Sequence, residues 1–206
     1  MATKSGGIRN LLIRPVVVVA IAAAACSTVV QRVDTKTVTD LSGRWNDTDS
    51  RLVAEEMVKD ALDRPWVDKF ADQHKGKEPT VIVGTVVNRS HEHISTQTFI
   101  DDLQRQLTNS GRVLFVASKG EREEVREERT DQLKNSTEET AKAPGREIGA
   151  DYMLRGVINT ILDESGGTKA VFYQVDLEMV DMSTNIKVWI GQKKIKKIIS
   201  RSSVTY

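Results

Sequence analysis

The last third of the chain does most to constrain the fold. Three strand-length stretches follow one another at residues 152–162, 171–181 and 186–199, separated only by short polar joints. The first joint holds Ser165-Gly166-Gly167-Thr168 and the second Met182-Ser183-Thr184-Asn185. A parallel neighbour needs a crossover of a dozen or more residues, so joints this short make the three stretches an antiparallel meander. In the middle stretch Val171, Tyr173, Val175, Leu177 and Met179 alternate with Phe172, Gln174, Asp176, Glu178 and Val180. One face is therefore core, and the other is mixed, either solvated or covered by a helix.

Upstream, Thr80 to Val87 is a continuous β-branched run closed by Asn88-Arg89-Ser90, which reads as a buried, interior strand. Before it, the N-cap candidates Asp47 to Ser50 precede Leu52, Val53, Met57, Ala61 and Leu62 at helical spacing, and Pro65 ends that helix. After it, residues 96–110 carry Ile100, Leu103 and Leu107 on one helical face, with Gly111 as a left-handed terminator. A short strand at 113–117 comes next. Ser118 and Glu121 then form a capping box for a charge-dense helix whose thin apolar stripe is Val125 and Leu133. Residues 137–149 read as a fourth helix that Pro144-Gly145 kinks or restarts. The expected fold class is α+β, or mixed α/β, with one sheet of about five strands, a C-terminal antiparallel meander and about four helices packed on it.

The chain opens with Lys4, Arg9 and Arg14, an apolar run from Pro15 to Ala25, and its one cysteine, Cys26. Eleven apolar residues are too few to span a bilayer, which takes about 20 as a helix. The pattern is that of a bacterial export signal, and Ala23-Ala24-Ala25 before Cys26 resembles a lipobox, although Ala23 stands where Leu is usual. The expected organisation is a lipoprotein signal peptide at 1–25, a lipidated Cys26 with an extended tether through residue 48, and a globular domain over 49–206. Ser27 stands where an inner-membrane retention signal would carry Asp, so the expected location is the outer membrane, facing the periplasm. Removing the signal leaves 181 residues, enough for one ordinary domain plus a tether.

Charge narrows the partners. Lys and Arg number 30 against 29 Asp and Glu, and the three basic residues lost with the signal leave 27 against 29. Nothing in that balance suits a nucleic-acid module. A lone cysteine excludes an intrachain disulfide and any cysteine-clustered metal site. His91 and His93 alternate in an extended segment, but with only His74 besides they fall short of a metal's three or four ligands, so no metal and no cofactor is expected. No serine nucleophile elbow, phosphate loop or dinucleotide fingerprint is present, and no catalytic residue is assigned. The expected protein is not an enzyme.

Four lysines, Lys193, Lys194, Lys196 and Lys197, and Arg201 make the C-terminal stretch basic. They read either as protection of an edge strand or as a contact to an acidic partner. Trp189 reads as core. Trp66, just past Pro65, offers an interface anchor, and Tyr206 is open to either reading.

The lipobox, the strand ending Val87-Asn88-Arg89-Ser90, and Ala150 to Gly156 leading into Val188 to Lys194 together resemble the LpoB-type lipoproteins, outer-membrane activators of class A penicillin-binding proteins. The resemblance covers roughly residues 49–197, and the same pattern recurs in CsgG-like and TolB N-terminal domains. It implies a small, non-enzymatic domain on a lipid tether that binds a peptidoglycan synthase and raises its activity. Asn88, Arg89 and Ser90, which match a recurrent strand-end motif, are together with Trp66 the expected partner contacts, and a monomer is expected. An Asn at the strand end equally satisfies turn backbone. The alternative is a CsgG-like structural or assembly lipoprotein of an outer-membrane export system. One departure is the tether, which has no proline between Cys26 and Arg64, where the enterobacterial activators have a long Pro-rich linker.

Overall fold

The computed structural model describes residues 30–137 and 147–200, and a compact body begins at Lys36. Its first helix, α1 (Asp47–Leu62), is started by Asn46. The Asn46 side chain accepts from the Asp49 amide at 3.1 Å and the Asp49 carboxylate accepts from the Asn46 amide at 3.0 Å. Val53, Ala54, Met57, Val58, Ala61 and Leu62 are buried, whereas Leu52, expected in the same stripe, is 43% exposed. Four of the five residues read in the sequence are thus buried, and Ala54 and Val58 widen the stripe on the side away from Leu52.

Pro65 ends α1 but also starts a second helix, α2 (Trp66–Gln73), which the sequence reading lacks. The proline ring holds φ at −64°, already suited to a helix start, and Trp66, Val67 and Phe70 are the buried residues of the new helix. β1 (Thr80–Arg89) leads into α3 (Thr96–Asn109), whose Phe99, Leu103 and Leu107 are fully buried. Gly111 has φ +65°, the left-handed conformation expected of it past the helix end. β2 is only Leu114–Phe115.

α4 (Lys119–Asn135) carries the anticipated capping box between Ser118 and Glu121. It buries no residue. Val125 and Leu133, expected to be its core stripe, are 45% and 50% exposed, because two apolar side chains eight positions apart make no continuous face for the body to cover. The helix expected over 137–149 falls mostly on 138–146, outside the described residues, and 147–149 are not helical.

β3 (Tyr152–Ser165), β4 (Thr168–Asp181) and β5 (Lys187–Ser200) form the expected meander. The β3–β4 joint is a two-residue turn in which Gly166 and Gly167 take φ +57° and +80°, a pair of positive angles that suits glycine. Strand order is β2-β1-β3-β4-β5, with β1 parallel to both of its neighbours and the rest antiparallel. Among the described residues the fold is thus α+β with four helices and one mixed five-stranded sheet. α1 lies over β5 and α3, and α3 over β1 and β2. Between these helices and the sheet sits the core, where Leu154, Ile158, Val171, Tyr173, Val175, Leu177 and Met179 are 1% exposed or less. Each such side chain contributes about 1.5–3 kcal/mol of burial energy.

The body also starts earlier than the sequence suggested. Trp45, read there as tether, is packed against the core, with its ring 6.2 Å from Phe99 and 5.6 Å from Tyr173.

Candidate interaction surface

The helices cover one face of the sheet, and the strand pairing defines what stands on the other. Directly opposed residues share a face. Arg89 pairs with Asn159, Asn159 with Gln174 and Gln174 with Lys194, so these four make one row across β1, β3, β4 and β5. Val87, Val157, Asp176 and Gln192 make the next row, and Arg155, Glu178 and Ile190 the one beyond. On the other side of the Arg89 row run Ile161, Phe172 and Lys196. A depression of about 450 Å³ opens among these rows and includes Val87, Arg89, Met153, Arg155, Glu178 and Ile190.

The face mixes apolar and charged groups. Val87, Ile161, Ile190 and Ile198 are exposed at 42%, 64%, 66% and 60%. Its carboxylates are largely matched from within. Glu178 accepts from Arg155 Nε at 2.6 Å and pairs with Lys187 at 2.5 Å, and the hydrogen bond from Lys187, followed by that from Arg155, holds its carboxyl below the ordinary range. Asp176 accepts from Gln174 at 2.8 Å and Gln192 at 2.7 Å. Arg89, Lys194 and Lys196 form no ion pair among the described residues, which leaves the face with unspent positive charge. Such a surface offers apolar area, hydrogen-bonding amides and cations.

The residues singled out in the sequence separate here. Arg89 lies on this open face. Asn88 and Ser90 build the turn behind it: Asn88 Nδ2 donates to the Glu92 carbonyl at 2.8 Å, Asn88 Oδ1 accepts from the Ser90 amide at 2.9 Å, and Ser90 Oγ donates to the Glu92 carbonyl at 2.9 Å. They hold backbone, the second of the two roles open to such an Asn. Trp66 is not a surface anchor. It is 5% exposed, its indole N–H donates to the Ala61 carbonyl at 2.7 Å, and its ring meets Tyr152 at 4.9 Å, because α2 folds it under the body. Trp189 is core as expected, 5% exposed with its N–H donating to Asp60 at 2.8 Å. His91 Nδ1 lies 2.9 Å from Thr160 Oγ1, and His74 stacks on Phe70. Cys26, Arg201 and Tyr206 lie outside the described residues.

The basic stretch divides too. β5 is the sheet edge, and Lys193 and Lys197 turn to the helix side, where Lys193 pairs with Glu56 and Lys197 with Asp40 and Asp49. Lys194 and Lys196 stay on the open face.

A polar cluster that sequence reasoning missed lies behind the Asn88–Ser90 turn. Glu92 accepts from the buried Tyr173 hydroxyl at 2.8 Å and from the Trp45 amide at 3.1 Å. Burial, reinforced by the Glu92 carboxylate, pushes the Tyr173 phenol far above its ordinary value. Glu92 and Tyr173 are 81 residues apart, and only the completed sheet brings them together.

Comparison with known proteins adds the following. Residues 49–195, from α1 into β5, match a family model described as "Peptidoglycan-synthase activator LpoB". A comparison with curated proteins finds no match. Similar solved structures include the LpoB C-terminal domain from Escherichia coli, at 16% identity over 72% of this chain and 99% of that one, with a TM-score of 0.45. The corresponding domain from Salmonella enterica is 17% identical over 65% and 94% of the two chains, with a TM-score of 0.35. Lipoprotein GNA1162 from Neisseria meningitidis is 14% identical over 61% and 88%, with a TM-score of 0.36.

Proposed function

The chain belongs to the LpoB family of peptidoglycan-synthase activators, and on that membership we propose that it is an outer-membrane lipoprotein, anchored through Cys26 and facing the periplasm, that binds and activates a class A penicillin-binding protein. The observation that carries the reading is the family match over 49–195, which takes in β1 to β4 and runs into β5. The open sheet face is the proposed docking surface, with Arg89 and Lys194 in its central row and Val87, Ile161 and Ile190 as apolar contacts. Of the contact residues inferred from the family resemblance, Arg89 is retained as a direct contact, while Asn88 and Ser90 support it from behind.

An activator without catalytic groups works by binding the active state of its partner more tightly than the inactive one. Each tenfold preference is worth about 1.4 kcal/mol, which a few well-placed contacts supply. The protein acts on its own as a monomer. Antiparallel pairing of two β5 edges about Ile195 would set Lys194 of one copy against Lys196 of the other on the open face, and like charges directly opposed oppose that association. Neither cofactor, metal nor nucleic acid enters the scheme.

The test is glycan-chain synthesis by a class A penicillin-binding protein from the same organism, with and without the full-length protein. Faster polymerisation on addition is expected. An unchanged rate, with no complex detected, would overturn the proposal.

A further inference from the structure

The chain enters the body through a strap, residues 39–44, that is fastened at its outer end by polar contacts from Lys197 and Asn46. Lys197 Nζ, on the edge strand β5, donates to Asp40 Oδ1 at 2.6 Å, to Asp49 Oδ2 at 2.6 Å and to the Arg44 carbonyl at 3.1 Å, and the lysine side chain is only 10% exposed. Asn46 adds a hydrogen bond to Asp40 at 2.8 Å. At the inner end Trp45 is set into the core, its indole N–H donating to Ser50 at 2.8 Å and its amide to Glu92 at 3.1 Å. Gly43, at φ +68°, lies so close over Ile199 that a Cβ would meet that side chain. Between the fastenings the strap buries little: Leu41 is 93% exposed, and Ser42 and Arg44 are exposed as well.

From this arrangement we propose that the strap is a releasable clip that sets the reach of the body. With the clip shut, the path from Cys26 ends at Asp40. With it open, the path ends at Trp45, which stays in the core as an inner stop. Five residues at up to 3.6 Å each add roughly 18 Å of reach. A segment held by polar contacts and by almost no apolar burial opens locally without unfolding the sheet. Tension along the tether acts on Asp40 before it acts on any element of the core. In a chain whose tether is short, a conditional extension of this size matters to whether the docking face meets its partner. That consequence rests on the lipid anchorage proposed above, whereas the clip itself does not.

The experiment uses the full-length protein in detergent, with chymotryptic cleavage after Leu41, in the middle of the strap, as the readout. Asp40→Ala removes the outer fastening and keeps Lys197 paired with Asp49, Lys197→Met removes both, and Lys194→Met is the control. Losing charge-assisted hydrogen bonds from a locally opening segment should speed cleavage at Leu41 about tenfold or more in the first two variants, with the control at the wild-type rate. Wild-type cleavage in Asp40→Ala, or equal acceleration at Leu52 and Leu62 within α1, would overturn the clip, the latter by showing that the whole body opens. Neutron reflectometry on a supported bilayer should then place the Asp40→Ala body farther from the membrane by up to roughly 18 Å. A Leu41 site that opens as expected in a protein that does not bind the bilayer supports the clip and strikes only the lipid anchorage.

Discussion

Replacing Trp66 by alanine separates a structural residue from a contact residue. The indole is 5% exposed, meets Tyr152 at 4.9 Å, and gives its N–H to the Ala61 carbonyl at 2.7 Å, so it joins the end of α1, the start of α2 and the first residue of β3. Truncating a buried aromatic to alanine costs about 3–5 kcal/mol through lost transfer energy and the cavity left behind. The hydrogen bond to Ala61 and the edge contact with Tyr152 place Trp66→Ala toward the upper part of that range. In a body of this size each kcal/mol moves Tm by roughly 2–4 °C, so a fall of roughly 10 °C or more is expected. Thermal melts followed by circular dichroism, with urea unfolding as a second measure, read it directly. Trp66→Phe keeps most of the ring and loses the N–H, and should cost about 1–2 kcal/mol by leaving the Ala61 carbonyl short of a partner. A Trp66→Ala protein that melts within 1–2 °C of wild type, a shift worth less than about 1 kcal/mol, yet loses affinity for a synthase would refute the burial and restore an exposed anchor.

Three further outcomes follow from the geometry. Asn46→Ala breaks the reciprocal cap of α1 and should lower stability by about 1 kcal/mol, seen as a reduced urea midpoint at unchanged slope. In acid, the carboxyls of Asp40, Asp60, Glu178 and Asp181 are held low mainly by hydrogen bonds from Lys197, Trp189, Lys187 and Ser183 respectively. Their stabilisation is complete above the ordinary carboxylate values and is lost as pH falls through the lowered ones, so Tm should be flat from neutrality and drop below about pH 4. In alkali the sign reverses: the raised Tyr173 phenol contributes stability below its ordinary value that fades as pH climbs past about 10, and Tyr173→Phe should flatten that limb of the Tm profile.

The meander was legible because its information is local. Alternation in β4 and two polar joints determine pairing, register and the buried face without reference to distant residues. The α3 stripe and the capping box at Ser118 are local in the same sense. Pro65 misled because a proline ends one helix and suits the first turn of another equally well, and only the burial of Val67 and Phe70 decides between them. Val125 and Leu133 misled because an apolar pair marks a possible stripe whether or not the body has a surface to receive it. The open face was half visible: the mixed character of one side of β4 was plain, but that Arg89 and Lys194 share a row follows from a sheet order that no local pattern encodes. The Trp45, Glu92 and Tyr173 cluster joins three distant segments and left no sequence signal beyond a Trp in an otherwise polar stretch.

The central claim, activation of a peptidoglycan synthase through the open sheet face, is tested most directly by glycan polymerisation with the double charge reversal Arg89→Glu and Lys194→Glu. Both side chains are outside the core, so the variant should keep the wild-type Tm. Reversing two exposed cations at a docking surface should weaken binding by about tenfold or more, most at low salt, and reduce activation at limiting protein concentration accordingly. Full activation and unchanged affinity in that variant, at any salt concentration, would contradict the assignment of this face.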